Sequence, residues 1–278
     1  MKKRTSFALA FALICVLVMC VLPIKASAAC KHERKEDECV KCGDLRVWPC
    51  KRQLLFIARY NGNDAPRSHK AGRGSSKTVN WYKAGDRLYV VGRTRNKHGN
   101  LWLKLSDGSY IWSEYVAFDF DAEVDGAYNL AQQTILPYEW YINMGILFRA
   151  DGSYDLKVTS LLGNRYKEYY VYSNGIIQEK QMSGEELGNI LYGRLFARSG
   201  KSFEDALHYA SWADYHWFPS KEAEKKEKEK WRACWKDIEY SKCDDEDDRN
   251  AIYLGYWIEE HRSSNSCVAW NYNVTSPY

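Results

Sequence analysis

The sequence predicts a multidomain chain: a small all-β barrel, then an α+β, mainly helical domain, with a short Cys/His segment ahead of both. Three observations carry this. Between Arg52 and Phe120 the apolar residues fall in short β-branched or aromatic runs, separated by Gly, Asn, Asp and Ser. After Ser183 they recur at helical spacing behind a capping box. Ahead of both, Cys30, His32, Cys39 and Cys42 stand at the spacing of a tetrahedral metal site. The implied boundaries are 29–50 for the Cys/His segment, 51–120 for the barrel and 121–278 for the helical domain.

Residues 1–28 read as a secretory signal. Lys2, Lys3 and Arg4 form its basic start, Phe7 to Leu22 its apolar core, and Ala26-Ser27-Ala28 its cleavage site. Pro23 and Lys25 end the apolar run short of the ~20 residues a membrane anchor needs, so the expectation is a secreted or envelope-associated protein without a stable transmembrane anchor. Removing the signal takes away Lys2, Lys3, Arg4 and Lys25 but no acids, which balances the +4 formal charge. Overall basicity therefore gives no argument for nucleic-acid binding. The 21 Tyr and 11 Trp suit a ligand that is flat or sugary, and equally suit large aromatic cores.

In the first segment the pattern is C-x-H, six residues, then C-x-x-C-G, with Gly43 permitting the turn that points N–H groups at the sulfurs. It resembles the small zinc knuckles found behind signal peptides in secreted Gram-positive proteins. The expected cofactor is a structural zinc held by Cys30, His32, Cys39 and Cys42, with no open position for chemistry. Cys50, Cys234, Cys243 and Cys267 then remain, enough for two disulfides. The alternative is that all the cysteines enter disulfides and one is left over.

The strand signals of the barrel are Leu54–Tyr60, Arg87–Gly92, Leu101–Leu105 and Tyr110–Trp112, the last two joined by a Ser106-Asp107-Gly108 turn. Asn63–Ser68, Lys83–Gly92, Asn100–Leu105 and Asp107–Val116 carry a resemblance to bacterial SH3-like domains. That resemblance implies a binding module for peptide or cell-wall material. Tyr60, Trp81, Tyr82, Trp112 and Tyr115 are the groove candidates, and barrel core is the other place for them.

In the last domain, Ala122–Ile135 reads as a helix broken at Pro137. Tyr154–Val158 and Glu168–Tyr172 read as strands. Ser183 with Glu186 opens a helix that Gly200 closes. Leu187, Ile190, Leu191 and Leu195 make its buried stripe, while Gly188 and Gly193 each cost it roughly 1 kcal/mol against Ala. A glycine there marks a close approach by another backbone or by a ligand. Ser202 and Asp205 cap a second helix to about Trp217. Pro219 opens a third, whose Glu222–Lys226 and Glu224–Lys228 pairs suit an exposed face. A last helix follows Asp244–Asp248.

Gly152-Ser-Tyr-Asp155-Leu-Lys157, Gly188-Asn189-Ile-Leu-Tyr192-Gly193, and Asp244–Asp248 running on to Ile252 and Gly255 occur in an order that resembles the toxin-44 family of bacterial polymorphic toxins. The resemblance covers most of Gly145–His261. It implies a nuclease, with RNA as substrate, and an immunity protein as partner. The chain departs from the family pattern at Leu191, where members often carry His, and at Ala210, Ser211 and Asp214. If that His is the family's base, the resemblance implies either an inactive copy or His208 as the substitute base.

Phosphodiester cleavage needs a base, an acid and a positive charge at the phosphate. Lys157 can supply the charge, Asn189 and Tyr192 can hold the phosphate, and Asp155 or His208 can move protons. Asp245 and Asp248, three apart at a helix start, can hold a divalent metal or complement the helix dipole. The favoured function is thus a secreted, envelope-held effector with a nuclease domain. The rivals are a peptidoglycan-directed wall enzyme using Asp155, Asp245 and Asp248, and a non-enzymatic surface binder.

Overall fold

The computed structural model describes residues 31–62, 64–133, 139–148, 154, 156, 168–217, 245–262 and 269–278. The signal, Cys30, Asp155, Lys157, the helix expected after Pro219, and Cys234, Cys243 and Cys267 lie outside the described residues.

A β-rich half precedes a helical one. The hairpin β1 (Arg34–Lys35) and β2 (Glu38–Cys39) stands alone. Strands β3 (Trp48–Ala58), β4 (Arg67–His69), β5 (Thr78–Trp81), β6 (Arg87–Arg95), β7 (Leu101–Leu105), β8 (Tyr110–Trp112) and β9 (Val116–Asp119) follow. Strand β6 buries alternate residues, Leu88, Val90 and Thr94 among them, as a half-buried strand must. Between β7 and β8, Gly108 at φ +84° allows the tight turn, and Asp107 Oδ1 accepts from Ser109 N at 2.8 Å.

The sheet does not stop at the expected boundary of residue 120. After β10 (Glu168–Tyr169), strand β11 (Val171–Ser173) pairs in parallel with β9, and β12 (Ile176–Ile177) pairs with β11. The resulting nine strands run in the order β12-β11-β9-β3-β6-β7-β8-β4-β5. Strand β9 leads directly into helix α1 (Phe120–Ala131), whose first turn is capped by Asp119 Oδ1 accepting from Ala122 N at 3.1 Å. Phe56, Phe118, Phe120 and Trp270 form a chain of ring contacts from strand to helix to C-terminal segment. One hydrophobic core therefore runs through both halves.

A buried ion pair links them as well. Arg52 on β3 grips Glu123 on α1 with two parallel hydrogen bonds, and its guanidinium lies 4.2 Å over the Tyr154 ring. Glu123 is 4% exposed, and burial pushes its carboxyl up despite Arg52.

Among the described residues four helices follow α1: α2 (Glu139–Phe148), α3 (Gly184–Arg198), α4 (Phe203–Trp217) and α5 (Glu246–Glu260). The capping box before α3 is formed as expected, with Glu186 N donating to Ser183 Oγ at 3.1 Å and Ser183 N to Glu186 Oε2 at 2.9 Å. Helices α3 and α5 run parallel, since Asn189 meets Asp248 and Arg194 meets Glu259. They cross at glycines. A Cβ on Gly193 would sit 2.0 Å from the Ile252 carbonyl oxygen, and one on Gly255 would sit 2.1 Å from that of Ile190. The close approach marked by Gly193 is thus another backbone.

Charge holds the same pair together. Arg194, 0% exposed, donates to Asp121 at 2.8 Å and Glu259 at 2.9 Å, while Arg198 reaches Glu259 at 2.7 Å and Asp125 at 2.6 Å. Burial would raise the Asp121 and Glu259 carboxyls, but Arg194, with Asn174 and Ser173 at Asp121 and with Arg198 at Glu259, outweighs it and holds both below the usual range. Among the described residues, no helix is long and apolar enough to cross a membrane.

Candidate functional site

Because α3 and α5 are parallel, their N-termini lie together, and a cleft of about 670 Å³ opens there. Each N-terminus carries partial positive charge from its unpaired N–H groups. Acids cluster around them: Glu185 and Glu186 from α3, and Asp245, Asp247 and Asp248 from α5. Lys180 is the cation of the lining. It pairs with Glu186 at 3.3 Å and lies 5.7 Å over the Tyr272 ring. The C-terminal segment forms one wall through Tyr272 and Val274, and is tied down where Ser276 N donates to Asn250 Oδ1 at 2.8 Å.

The central contact is a hydrogen bond from Asn189 Nδ2 to Asp248 Oδ1. It joins residues 59 positions apart and fixes one carboxylate of the lining. Asp245 is the N-cap of α5 without a capping bond from its side chain, and its carbonyl accepts from Arg249 N at 2.9 Å. Among the described residues, no three His, Cys or carboxylate donors that include Asp245 or Asp248 lie mutually within 4.8 Å. What the lining can do is attract cations, and it repels a bare anion.

Of the residues expected from sequence, Asn189, Asp245 and Asp248 come together. Tyr192 does not join them. It packs on Phe148 and Phe196, and its hydroxyl donates to the Ala206 carbonyl at 3.0 Å. His208 lies on α4 beside Glu204, outside the lining. Leu191 is fully buried in the core, so its side chain faces packing and not the cleft. Lys180, Glu185 and Tyr272 were not foreseen. Glu186 was legible only as a capping residue, because nothing local in the sequence says that two helix starts share a cleft.

A second chemical group lies at the other end of the described chain. His32, Cys39 and Cys42 place their donor atoms within 4.8 Å of one another, with Cys42 Sγ 3.6 Å from His32 Nδ1. Gly43 takes φ +70°, and its N–H donates to the Cys39 carbonyl at 2.8 Å. Burial would raise the Cys39 thiol, but the Cys42 amide, the His32 ring and the Lys41 amide lower it to about 6. Such a set can bind a metal ion. The segment is fastened to the sheet by Asp37, which accepts from Trp48 Nε1 at 2.9 Å and from Arg95 N at 2.8 Å.

A groove of about 520 Å³ is lined by the sheet and its loops, with Glu38 as the residue of this segment that reaches it. Of the expected aromatics, Trp112 and Tyr115 line it, packed edge to face at 5.6 Å. Tyr60 and Trp81 are outside the lining and are 51% and 63% exposed. Comparisons of the chain with family models, with curated proteins and with solved structures find no match.

Proposed function

We propose that the protein is a secreted, envelope-associated effector whose C-terminal part is a toxin-44-like nuclease acting on RNA in the cleft where α3 and α5 begin. The observation that supports it most is the Asn189–Asp248 hydrogen bond, which brings the second and third motif elements into one place. The acid-rich lining favours a metal-assisted reaction, because a phosphodiester entering among five carboxylates needs its charge neutralised. Asp245 and Asp248 would hold the divalent cation, which would supply charge neutralisation and an activated water. Asn189 orients Asp248. Asp155 and Lys157 retain the proton-transfer and phosphate-charge roles that the first motif implies. The N-terminal segment is read as a zinc knuckle, with Cys30 as fourth ligand to His32, Cys39 and Cys42. The β-rich half is read as an SH3-like module that binds cell-wall material or peptide. An immunity protein is the expected partner.

The test incubates purified mature protein with total RNA, and separately with peptidoglycan, in magnesium and in EDTA. Magnesium-dependent RNA loss is expected. Asn189→Ala, which removes an orienting contact, should lower the rate ~10–100-fold, and Asp248→Asn should lower it at least as far. A second reading has its own observation: a carboxylate-rich cleft also suits glycoside hydrolysis, which uses paired acids. EDTA-insensitive release of soluble muropeptides would move the protein to the wall enzymes. No change in either substrate by a folded protein would leave the surface-binder reading.

A further inference from the structure

We propose that the groove lined by Glu38 and the loops of the sheet is a binding site for the free carboxylate of a short peptide. The proposal rests on the reading of the β-rich half as an envelope-binding module and names the chemistry that module recognises.

Charge is the first argument. Arg67, Arg73 and Lys97 line the groove with His69 and His98, against two acids, Glu38 and Asp64. Both acids are already engaged. Glu38 Oε2 accepts from Lys97 N at 2.8 Å, and Asp64 Oδ2 accepts from the Tyr115 hydroxyl at 3.3 Å. The cations are not neutralised in the same way. Among the described residues, Arg67 has aromatic neighbours, Trp81 at 5.2 Å and Tyr115 at 5.8 Å, but no carboxylate partner. Arg73 likewise has none there. An arginine fork left open beside aromatic rings is matched by a carboxylate.

An orphan donor is the second argument. Trp102 lines the groove and is 4% exposed, yet its indole N–H has no acceptor among the described residues. Buried indole N–H groups usually find a partner. A carboxylate oxygen would satisfy it and the arginines together. The third argument is size and surface. About 520 Å³ is room for two or three residues of peptide, and the Trp112–Tyr115 pair offers an apolar wall to a small side chain.

The Cys/His segment completes the site. Glu38, next to Cys39, holds the loop that carries Lys97. Gly43 passes beneath Arg73 so closely that a Cβ there would lie 3.3 Å from Arg73 Nη1. The segment therefore bears on the groove through Glu38 and Arg73.

The experiment uses the mature protein with indole-labelled tryptophan, followed by NMR. It is titrated with N-acetyl-alanyl-alanine, with the C-terminal amide of the same peptide, and with inorganic phosphate. The resonance missing from Trp102→Phe should shift saturably with the acid, and at least tenfold more weakly with the amide. Arg67→Gln and Arg73→Gln, at less buried positions, should each weaken the acid about tenfold, as loss of a charged hydrogen bond does. Equal binding of acid and amide, phosphate binding as tight as the acid, or no shift at all would each overturn the proposal. Retention on isolated cell walls is measured in parallel. Acid binding without wall retention keeps the proposal and removes the envelope assignment, while retention without acid binding does the reverse.

Discussion

Gly193→Ala and Gly188→Ala are the same change in the same helix, and the structure gives them opposite signs. In an exposed helix, Gly→Ala stabilises by roughly 1 kcal/mol. At Gly188 the nearest atom to a new Cβ is Leu156 Cβ at 4.0 Å, ordinary contact, so that gain should be realised. At Gly193 the new Cβ would stand 2.0 Å from a carbonyl oxygen of α5, where ordinary contact begins at 3.4 Å. The obstacle is backbone, which cannot rotate aside, so α3 and α5 must separate by more than an ångström. Overpacking costs about 1–3 kcal/mol when side chains can adjust. With no such route and with Arg194 and Glu259 pulled apart as well, the net loss should be about 2–4 kcal/mol. Thermal unfolding followed by circular dichroism should then show Gly193→Ala lowered by roughly 5–15 °C and Gly188→Ala unchanged or raised by a few degrees. Equal shifts of the same sign would refute the packing argument.

Arg194→Met should cost about 2–4 kcal/mol in urea denaturation, because it removes a fully buried cation and leaves part-buried Asp121 with no charged partner among the described residues, Glu259 keeping only Arg198 and Arg262. Arg194 depresses both carboxyls in the folded state, so their contribution is present above the unfolded carboxylate range and lost as pH falls through the folded values. The gap between wild type and Arg194→Met should therefore narrow below about pH 4. Arg52→Met alone should be similarly harmful by leaving Glu123 buried and unpaired, while Arg52→Met with Glu123→Leu should recover more than half of the loss. Zinc released by a chelator and read with a metal dye should be stoichiometric for the mature chain and abolished in Cys39→Ser. Acid should displace it, since protons compete for the ligands.

What could be read in the sequence was local. Strands β7 and β8 fall where alternation and the Ser106–Gly108 turn place them, and α3 begins at its capping box because that signal spans four residues. The His32, Cys39 and Cys42 cluster was legible for the same reason: ligand spacing is written along the chain. Arg194 was not. It looks like one more surface arginine of an amphipathic helix, and its partners on α1 and α5 make it, among the described residues, the largest fully buried side chain. Tyr192 misled because three-residue spacing puts it near Asn189 on the helix. Its ring instead follows the aromatic cluster of Phe148 and Phe196, while Asn189 turns toward Asp248. The boundary at residue 120 misled too, because a parallel strand arriving from Val171 leaves no mark near Phe118.

The glycine crossing and the cleft are one device. Asn189 lies one turn before Gly193, and Asp248 one turn before Ile252, so the contact between them is made only if the backbones touch a turn later. Parallel helices place like dipole ends together, which is unfavourable alone. Here the acids of both first turns offset the N-terminal ends, and Arg198 in the last turn of α3, bonded to Glu259 of α5, offsets the C-terminal end of α3. The arrangement therefore needs its acids for stability whatever the cleft binds, which explains why they are numerous. The Asn189–Asp248 bond is left over from that account, since a helix start needs no amide donor across the crossing. Separating the helices should break it first. Gly193→Ala, assayed well below its own unfolding temperature, should thus lose RNA cleavage as far as Asn189→Ala does, while Gly188→Ala keeps it. Full activity in a folded Gly193→Ala protein would detach the cleft chemistry from the helix crossing.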